Sequence, residues 1–359
     1  MKLLAAISHH GLGHLAQAAP VLNALHVLQP DLELTVWSGL SRAALQARLR
    51  IPFVHRAEAA DVGLAMTDAV RVNVADSRAA YLAFHENWDA RVADEAAWLK
   101  ARGFDGVFSD VAYLPLAAAA LAGIPAVALC SLNWRDIAGA YLAGHPDMAP
   151  LLERMRQAYQ GARAFLCPTP AMPMAWLDNR AVVPPIMERG VDRRHELAQA
   201  LEQHRDGRRP TRRVLVGFGG IGYRGMGRLP ELPGVTWLAP DDWAENRPDL
   251  VAIGTTGMPF IDLLASCDAL LTKVGYGGFV EAAAHGIPVL YVDRPDWPET
   301  PHLRDWLERH GNCGAIGEEE LFNEEIGRRL EQLWALPARK AVVSDGARYA
   351  ARRLKELLN

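Results

Sequence analysis

Two stretches of this chain, 163 positions apart, share one plan. Residues 109–129 (SDVAYLPLAAAALAGIPAVAL) align with residues 272–292 (TKVGYGGFVEAAAHGIPVLYV), and seven of the 21 positions are identical, including Gly-Ile-Pro at 123–125 and 286–288. Each copy reads as the end of a strand, a turn, a helix, and then a glycine and a proline that stop the helix and feed the next parallel strand. A unit of that kind used twice predicts two similar α/β domains in tandem, each a parallel sheet covered by helices on both faces. The competing explanation is chance likeness between two alanine-rich segments.

The rest of the chain extends the plan, because short apolar runs alternate with helical periods. Strands are predicted over 3–7, 33–37, 106–109, 126–129 and 164–167, with helices over 15–28, 41–49, 78–101, 113–122 and 148–160. Residues 184–210 are rich in proline, arginine and acids and read as a connection. Further strands are predicted over 213–217, 235–238, 250–253, 269–271 and 288–292. A last helix, rich in arginine and lysine, follows Ser344-Asp345 and is expected to pack back across the molecule. The division is therefore an N-terminal domain over 1–183, a linker over 184–210, a second domain over 211–337, and a returning helix within 338–359. A length of 359 residues suits two domains of ordinary size.

Composition removes several classes of function. Half of the residues are hydrophobic and 22% are charged, which disfavours disorder and coiled coil, and a net charge of -4 gives no general call for nucleic acid. Cys130, Cys167, Cys267 and Cys313 form no CxxC pair, so a reducing, cytoplasmic setting with buried thiols is expected. The uncharged stretch between Asp110 and Arg135 is broken by Pro115, Gly123 and Pro125, and reads as helix, turn and strand rather than a membrane span. The apolar run before His9 and His10 is too short for a signal peptide.

The two copies differ where chemistry belongs. The first has Ala112, Leu114, Pro115 and Ala118; the second has Gly275, Gly277, Gly278 and Glu281. Glycines at a strand-to-helix turn let backbone N–H groups close on a phosphate at the helix N-terminus. Lys273 adds a positive charge just before them, and Glu281 lies about one turn into the helix, where a carboxylate accepts hydrogen bonds from a ribose diol. Glycines serving only a tight turn are the plainer alternative.

A second cluster stands at residues 8–14, Ser-His-His-Gly-Leu-Gly-His, between the first strand and its helix. Gly11, Gly13 and Ala16 formally satisfy G-x-G-x-x-A, a dinucleotide fingerprint and hence a dehydrogenase reading. That reading wants an acid at the end of the second strand, where Trp37-Ser38-Gly39 stands, and it puts bulky His14 beside the pyrophosphate. Metal binding by His10 and His14 is a further alternative, but no carboxylate or cysteine lies nearby in sequence, and no metal is expected. His14 satisfying a backbone group is a third. The functional reading makes His14 a general base at the rim of the first sheet, with His10 and Gly13 as accessories.

These motifs carry a resemblance. Gly-x-Gly-His-Leu-Ala opening the first helix resembles the turn of GT-B glycosyltransferases, including plant small-molecule glycosyltransferases and the N-acetylglucosaminyl transferase of peptidoglycan synthesis. The fuller set, HHGLGH with TKVGYGGFVEAAAHGIPVLYVDR and PETPHL, is similar to bacterial members and to the transferase-like N-terminal region of plant arabinokinases. The resemblance spans both domains, most specifically residues 8–17, 105–130 and 258–303. It implies two facing Rossmann-like domains with an interdomain cleft and the nucleotide-sugar donor on the second. It also implies that His14 deprotonates the acceptor hydroxyl and that Asp110 orients it. The plant signature has His-Cys-Gly-Trp-Asn-Ser where this chain has Lys273-Val274-Gly275-Tyr276-Gly277-Gly278, so lysine replaces the phosphate-binding histidine. The acid–glutamine pair that touches the sugar has no clean match, and either Asp296 or Glu299 takes that role. Phe260 and Ile261, within MPFI, match the segment whose backbone reads the nucleobase, and Gly219-Gly220 matches a loop near the phosphates.

The expected activity is inverting, metal-independent glycosyl transfer from a nucleoside diphosphate sugar, with UDP favoured, to a small-molecule or lipid-linked acceptor, without a cofactor. The Asp-x-Asp motif for a metal diphosphate is missing; Asp241-Asp242 lacks its spacing. A hydrolase using water as acceptor and a non-catalytic nucleotide-sugar sensor are the alternatives on the same fold. A 2-epimerase would carry an Arg-Pro-Glu run that this chain lacks. Trp134, Tyr141, Met172, Met174 and Trp176 read as core packing first, and as an acceptor cleft or a peripheral membrane contact second.

Overall fold

The computed structural model describes residues 1–202, 212–220, 222–223, 228–243 and 247–358, and its strands form two parallel sheets. The first comprises β1 (Lys2–Ile7), β2 (Glu33–Trp37), β3 (Phe53–Arg56), β4 (Gly106–Asp110), β5 (Ala126–Leu129), β6 (Ala164–Pro168) and β7 (Arg180–Val183), in the order β3-β2-β1-β4-β5-β6-β7. The second comprises β8 (Arg212–Gly217), β9 (Val235–Ala239), β10 (Leu250–Ala252), β11 (Ala269–Lys273), β12 (Val289–Val292) and β13 (Cys313–Ile316), in the order β10-β9-β8-β11-β12-β13. The two are thus the same doubly wound plan, one strand shorter at one edge in the second, which is the two-domain Rossmann-like architecture expected from the repeat.

Why the central strands form is plain from their neighbours. A parallel strand covered on both faces has to be apolar at every position, with successive side chains entering opposite layers. In β1, Leu4 and Ala6 enter one hydrophobic layer while Leu3, Ala5 and Ile7 enter the other. In β8, Val214 and Val216 enter one layer and Leu215 the opposite one. The two copies of the repeat become β4–helix Leu114–Ala122–β5 and β11–helix Tyr276–His285–β12. Both helices end on a left-handed glycine, Gly123 and Gly286, as the Gly-Ile-Pro motif implied.

Several elements depart from the sequence expectation. The edge strands β3, β7 and β13 are four residues each and half-exposed, β3 and β7 carry charged residues and β13 is mostly small ones, so none presents a marked apolar run. The helix expected over 78–101 is two helices, Val74–His85 and Trp88–Arg102, separated at Asn87, whose φ is 54°. Helix Trp134–Leu142 was not foreseen; Asn133 caps it, its side chain accepting from Asp136 N at 2.8 Å. The connection over 184–210 contains helix Arg194–Glu202, whose Leu197 and Leu201 join the core of the second sheet. Residues 203–210 of that connection and the first residue of the expected 211–337 domain lie outside the described residues. No helix among the described residues is long and apolar enough to cross a membrane.

Helix Gly346–Leu358 closes the chain against the first sheet: Ala350, Ala351, Leu354 and Leu358 share a core layer with β1 and helix Gly13–Leu28. Arg163 hydrogen-bonds the Leu357 carbonyl there. Truncating fully buried Leu354 in Leu354→Ala should cost about 2–5 kcal/mol. Urea denaturation followed through the unfolding of the first domain checks this, and a cost near zero would detach the helix from that core.

Candidate active site

Parallel strands deliver their following residues to one edge of the sheet, and adjacent strands whose connections run in opposite directions leave a crevice there. In the first domain β1 and β4 are such neighbours, and Ile7 pairs in register with Asp110. The backbone N–H of Ser8 donates to the Asp110 carbonyl at 2.7 Å, so the turn carrying His14 is tied to the strand carrying Asp110. In the second domain β8 and β11 stand in the same relation, with Gly217 paired to Thr272 and Lys273 ending the strand. Thr272 Oγ1 donates to the Gly217 carbonyl at 2.6 Å.

The two crevices face each other across one cavity of about 520 Å³, lined by His10, Gly13 and His14 from the first domain and by Gly219, Gly220, Phe260, Lys273, Gly275, Gly277, Gly278, Glu281 and Glu299 from the second. That volume is in the range of small-molecule sites. Backbones meet at its base. Leu12 N donates to the Gly219 carbonyl at 3.0 Å, and a Cβ on Gly277 would stand a tight 3.0 Å from the Ala16 Cβ, so glycine there eases the close approach of the two helix starts. Gly219 and Gly220 have φ values of 82° and 85°, which glycine adopts without strain.

His14 and Asp110 are both buried, and His14 Nδ1 lies 2.9 Å from Asp110 Oδ1. A carboxylate only accepts, so the hydrogen sits on Nδ1 and Nε2 keeps its lone pair. Burial opposes charging His14, but the hydrogen bond and charge of Asp110, helped by Asp61 and Glu299, outweigh it and hold the imidazole above its usual range. Cys130 Sγ lies 3.6 Å from the same nitrogen, and the donor atoms of His14, Asp110 and Cys130 fall within 4.8 Å of one another. Burial pushes the Cys130 thiol well up, and the 2.9 Å contact joins His14 and Asp110 as a hydrogen-bonded pair beside it.

On the opposite wall, Lys273 precedes the N-terminus of helix Tyr276–His285, whose first turn holds Gly277 and Gly278. Burial first, and the charge of Arg294 second, press its ammonium down to about 7. Glu281 is buried and salt-bridged by Arg48 from the first domain, at 2.5 Å to Oε1 and 3.1 Å to Oε2. Arg48 also reaches Glu188 at 3.0 Å. Each Glu281 oxygen keeps a second lone-pair site beside its bond to Arg48, so the carboxylate remains an acceptor toward the cavity.

The two sugar candidates separate. Glu299 is buried in the cavity wall, accepting from Ser131 Oγ at 2.6 Å and Trp297 Nε1 at 3.4 Å, while burial raises its pKa. Asp296 is exposed, outside the cavity lining, and accepts from the Tyr141 hydroxyl at 3.1 Å. Phe260 lines the cavity against Gly217, whereas Ile261 is buried in the core with its carbonyl under Gly190, away from the cavity lining. His10 is wedged edge-on to Trp134, with centroids 5.1 Å apart, and parallel to Trp297 at 6.1 Å. Trp134 and Met174 are buried, and Trp134 Nε1 donates to Asp61 at 2.6 Å, so these two pack in the core. Tyr141, Met172 and Trp176 are only partly buried against the same layer.

Sequence reasoning missed Arg48, Ser131, Arg294 and Trp297, all of which line the cavity. Arg48 and Ser131 reach it only through tertiary folding. Arg294 had one usable signal, its place just beyond β12, the neighbour of the strand that ends in Lys273.

Comparison with known proteins follows the same lines. No family model matches the chain. The L-arabinokinase of Arabidopsis thaliana is 26% identical over 318 residues, covering 86% of this chain and 30% of that protein, so the chain spans less than a third of that relative's length. Among solved structures, Arabidopsis thaliana UGT89C1 complexed with UDP superposes with a TM-score of 0.62 at 12% identity over 100% of both chains. The glycotransferase of kitacinnamycin gives 0.57 at 14% identity, covering 99% of this chain and 94% of the other. SnogD from Streptomyces nogalater gives 0.53 at 18% identity over 100% of both. The fold is GT-B. Within it, the cavity occupies the cleft between the two domains, where both sheets present their carboxyl ends.

The Arg48–Glu281 pair yields a test. Breaking a buried ion pair leaves one charge without compensation, so Arg48→Met should cost about 3–5 kcal/mol. The double variant Arg48→Met/Glu281→Gln should recover a large part of it, measured by urea denaturation; strict additivity of the two would mean the groups do not interact.

Proposed function

We propose that this chain is a glycosyltransferase that moves a sugar from a nucleoside diphosphate donor to an acceptor hydroxyl, with inversion and without a metal ion. The observation that carries the reading is the His14–Asp110 hydrogen bond on one wall of a cavity whose other wall offers Lys273 and a glycine-rich helix start. The acceptor oxygen attacks the anomeric carbon as its proton passes to His14 Nε2. The bond from that carbon to the diphosphate breaks, and its electron pair leaves on the phosphate oxygen. Asp110 holds the productive tautomer and stabilises the imidazolium that forms. Lys273 and the first N–H groups of helix Tyr276–His285 receive the diphosphate's developing charge, which is what makes a metal dispensable.

Several observations support the donor class. Solved neighbours of the fold are complexed with UDP or with dTDP, which favours a pyrimidine nucleotide here. Phe260, Ile253 and Trp243 line the second-domain side of the cavity and suit a flat base, while Glu281 suits the ribose and Glu299 the sugar. The acceptor is a small molecule or a lipid-linked hydroxyl. All four cysteines are unpaired, in keeping with a reducing, cytoplasmic setting.

Loss of the base should be read in turnover. His14→Ala should lower the rate by about two to four orders of magnitude with donor affinity nearly intact. Because Asp110 holds His14 above its usual range, the base is lost by protonation as pH falls, and Asp110→Asn should move that acidic limb to lower pH while lowering the rate. Initial-rate profiles against pH check both; full activity in His14→Ala would end the mechanism.

Lys273 offers an independent test. Its ammonium is held near 7, and a bound diphosphate favours the charged form, so donor binding should take up a proton and weaken as pH rises above 7. Calorimetry in two buffers of different ionisation enthalpy measures that uptake. Binding with no proton uptake, unchanged in Lys273→Ala, would remove Lys273 from the donor site.

A further inference from the structure

Arg294 follows β12 and is 3% exposed, yet its Nε and Nη2 find no hydrogen-bond acceptor among the described residues. It lines the cavity. Nε and Nη2 together form one edge of the guanidinium, the edge that meets both oxygens of a carboxylate side-on. The plane is fixed by Trp297, whose ring centre lies 4.2 Å from the guanidinium carbon. Nearby carboxylates are engaged elsewhere: Glu299 with Ser131 and Trp297, and exposed Asp296 with Tyr141. An unpaired buried cation is costly, and a ligand that brings the matching anion relieves the cost.

Its charge acts on both Lys273 and His10, so it stands between the diphosphate cradle and the histidine side of the cavity. Lys273 Cε lies 3.8 Å from where a Gly219 Cβ would stand, on the side of the glycine loops. Arg294 shares Trp297 with His10, and His10 and His14 both pack on Trp134, at 5.1 and 5.4 Å. The set Arg294–Trp297–His10 therefore reaches toward His14. His10 Nε2 is also buried without a partner among the described residues. Burial, and then the neighbouring charges, hold His10 well below its usual pKa, so it stands neutral in the same wall as the guanidinium.

On the transferase reading, on which this inference rests, the group between His14 and a diphosphate on Lys273 is the transferred sugar. We propose that Arg294, with His10 beside it, binds a carboxylate on that sugar, so that the donor is a nucleoside diphosphate uronic acid. A neutral hexose would leave the guanidinium edge unpaired, and Arg294 is then the residue that selects the charged sugar.

Titration calorimetry of the full chain with UDP, UDP-glucose and UDP-glucuronate tests this. The wild-type chain should bind UDP-glucuronate about tenfold or more tighter than UDP-glucose, as a charge-assisted bidentate contact implies. In Arg294→Gln the preference should vanish, with UDP-glucuronate losing about tenfold more affinity than UDP, because only the uronate carries the extra carboxylate. Arg294→Lys should keep part of the preference, since the charge stays and the fork is lost. Equal wild-type affinity for the two sugars overturns the subsite while leaving the donor reading in place, and it needs no variant to fold. Arg294→Gln weakening UDP as much as UDP-glucuronate also overturns it, by making Arg294 a diphosphate ligand. Binding of none of the three overturns the donor reading itself and this inference with it.

Discussion

A charge removed from water has to be met by an opposite charge or by several hydrogen-bond partners, and that constraint arranges most of this cavity. Asp110 is fully buried and is met by His14; Glu281 is buried and is met by Arg48; Glu299 is buried and is met by a hydroxyl and an indole N–H. Each pairing also sets chemistry. The carboxylate that needs a donor fixes the tautomer of the imidazole, and the one held by Arg48 stays oriented toward the cavity. Lys273 and Arg294 are the counterpoint. They are cations in the same enclosed space, and burial lowers the pKa of both. A wall built that way is ready for an anion.

The same pairings also join the two halves of the chain. Arg48 crosses from the first domain to Glu281 in the second, and Gln17 holds Ser131, whose hydroxyl reaches Glu299. Beside them Leu12 hydrogen-bonds Gly219, and Ala69 N donates to the Gly222 carbonyl at 2.9 Å. Neither domain has a complete site alone. The first carries the His14–Asp110 pair, the second Lys273 and the glycine-rich helix start, and the contacts that close the cleft gather them around one cavity.

Much of this plan was legible because parallel strands and helix stops leave local marks. The apolar runs at β1, β4, β8 and β11, and the Gly-Ile-Pro stops at Gly123 and Gly286, follow from burial on both faces and from left-handed helix ends. His14, Asp110 and Lys273 were legible because each sits at the end of such a strand or just beyond it. The half-exposed edges β3, β7 and β13 were not, since an edge strand needs no continuous apolar run. Arg48 was invisible for a different reason. It lies in Ala-Arg-Leu-Arg just after a short helix, with nothing local to mark it, and it becomes a site residue only because the fold sets it against Glu281, 233 positions away. Asp296 and Glu299 were indistinguishable by spacing, and only packing turns one into the cavity wall and leaves the other in solvent.

The repeat explains why base and cradle oppose each other. Asp110 and Lys273 occupy equivalent positions, each the last residue of the strand beside the first strand of its domain. Two copies of one scaffold joined face to face place equivalent positions on opposite walls of the cleft. At that position the first copy reaches the cavity through His14, and the second through Lys273 itself. An acid there hydrogen-bonds a histidine; a lysine there, followed by glycines in place of Leu114 and Pro115, puts a cation beside an open helix start. Pro115 removes one N–H donor from the start of the first copy's helix. The glycines of the second leave its helix start open to a ligand and to the approach of Ala16. Divergence at a handful of residues beside two strand ends thus turns a symmetric scaffold into a cleft with Lys273 and Arg294 on one side and the His14–Asp110 pair on the other, the polarity on which the proposed displacement rests.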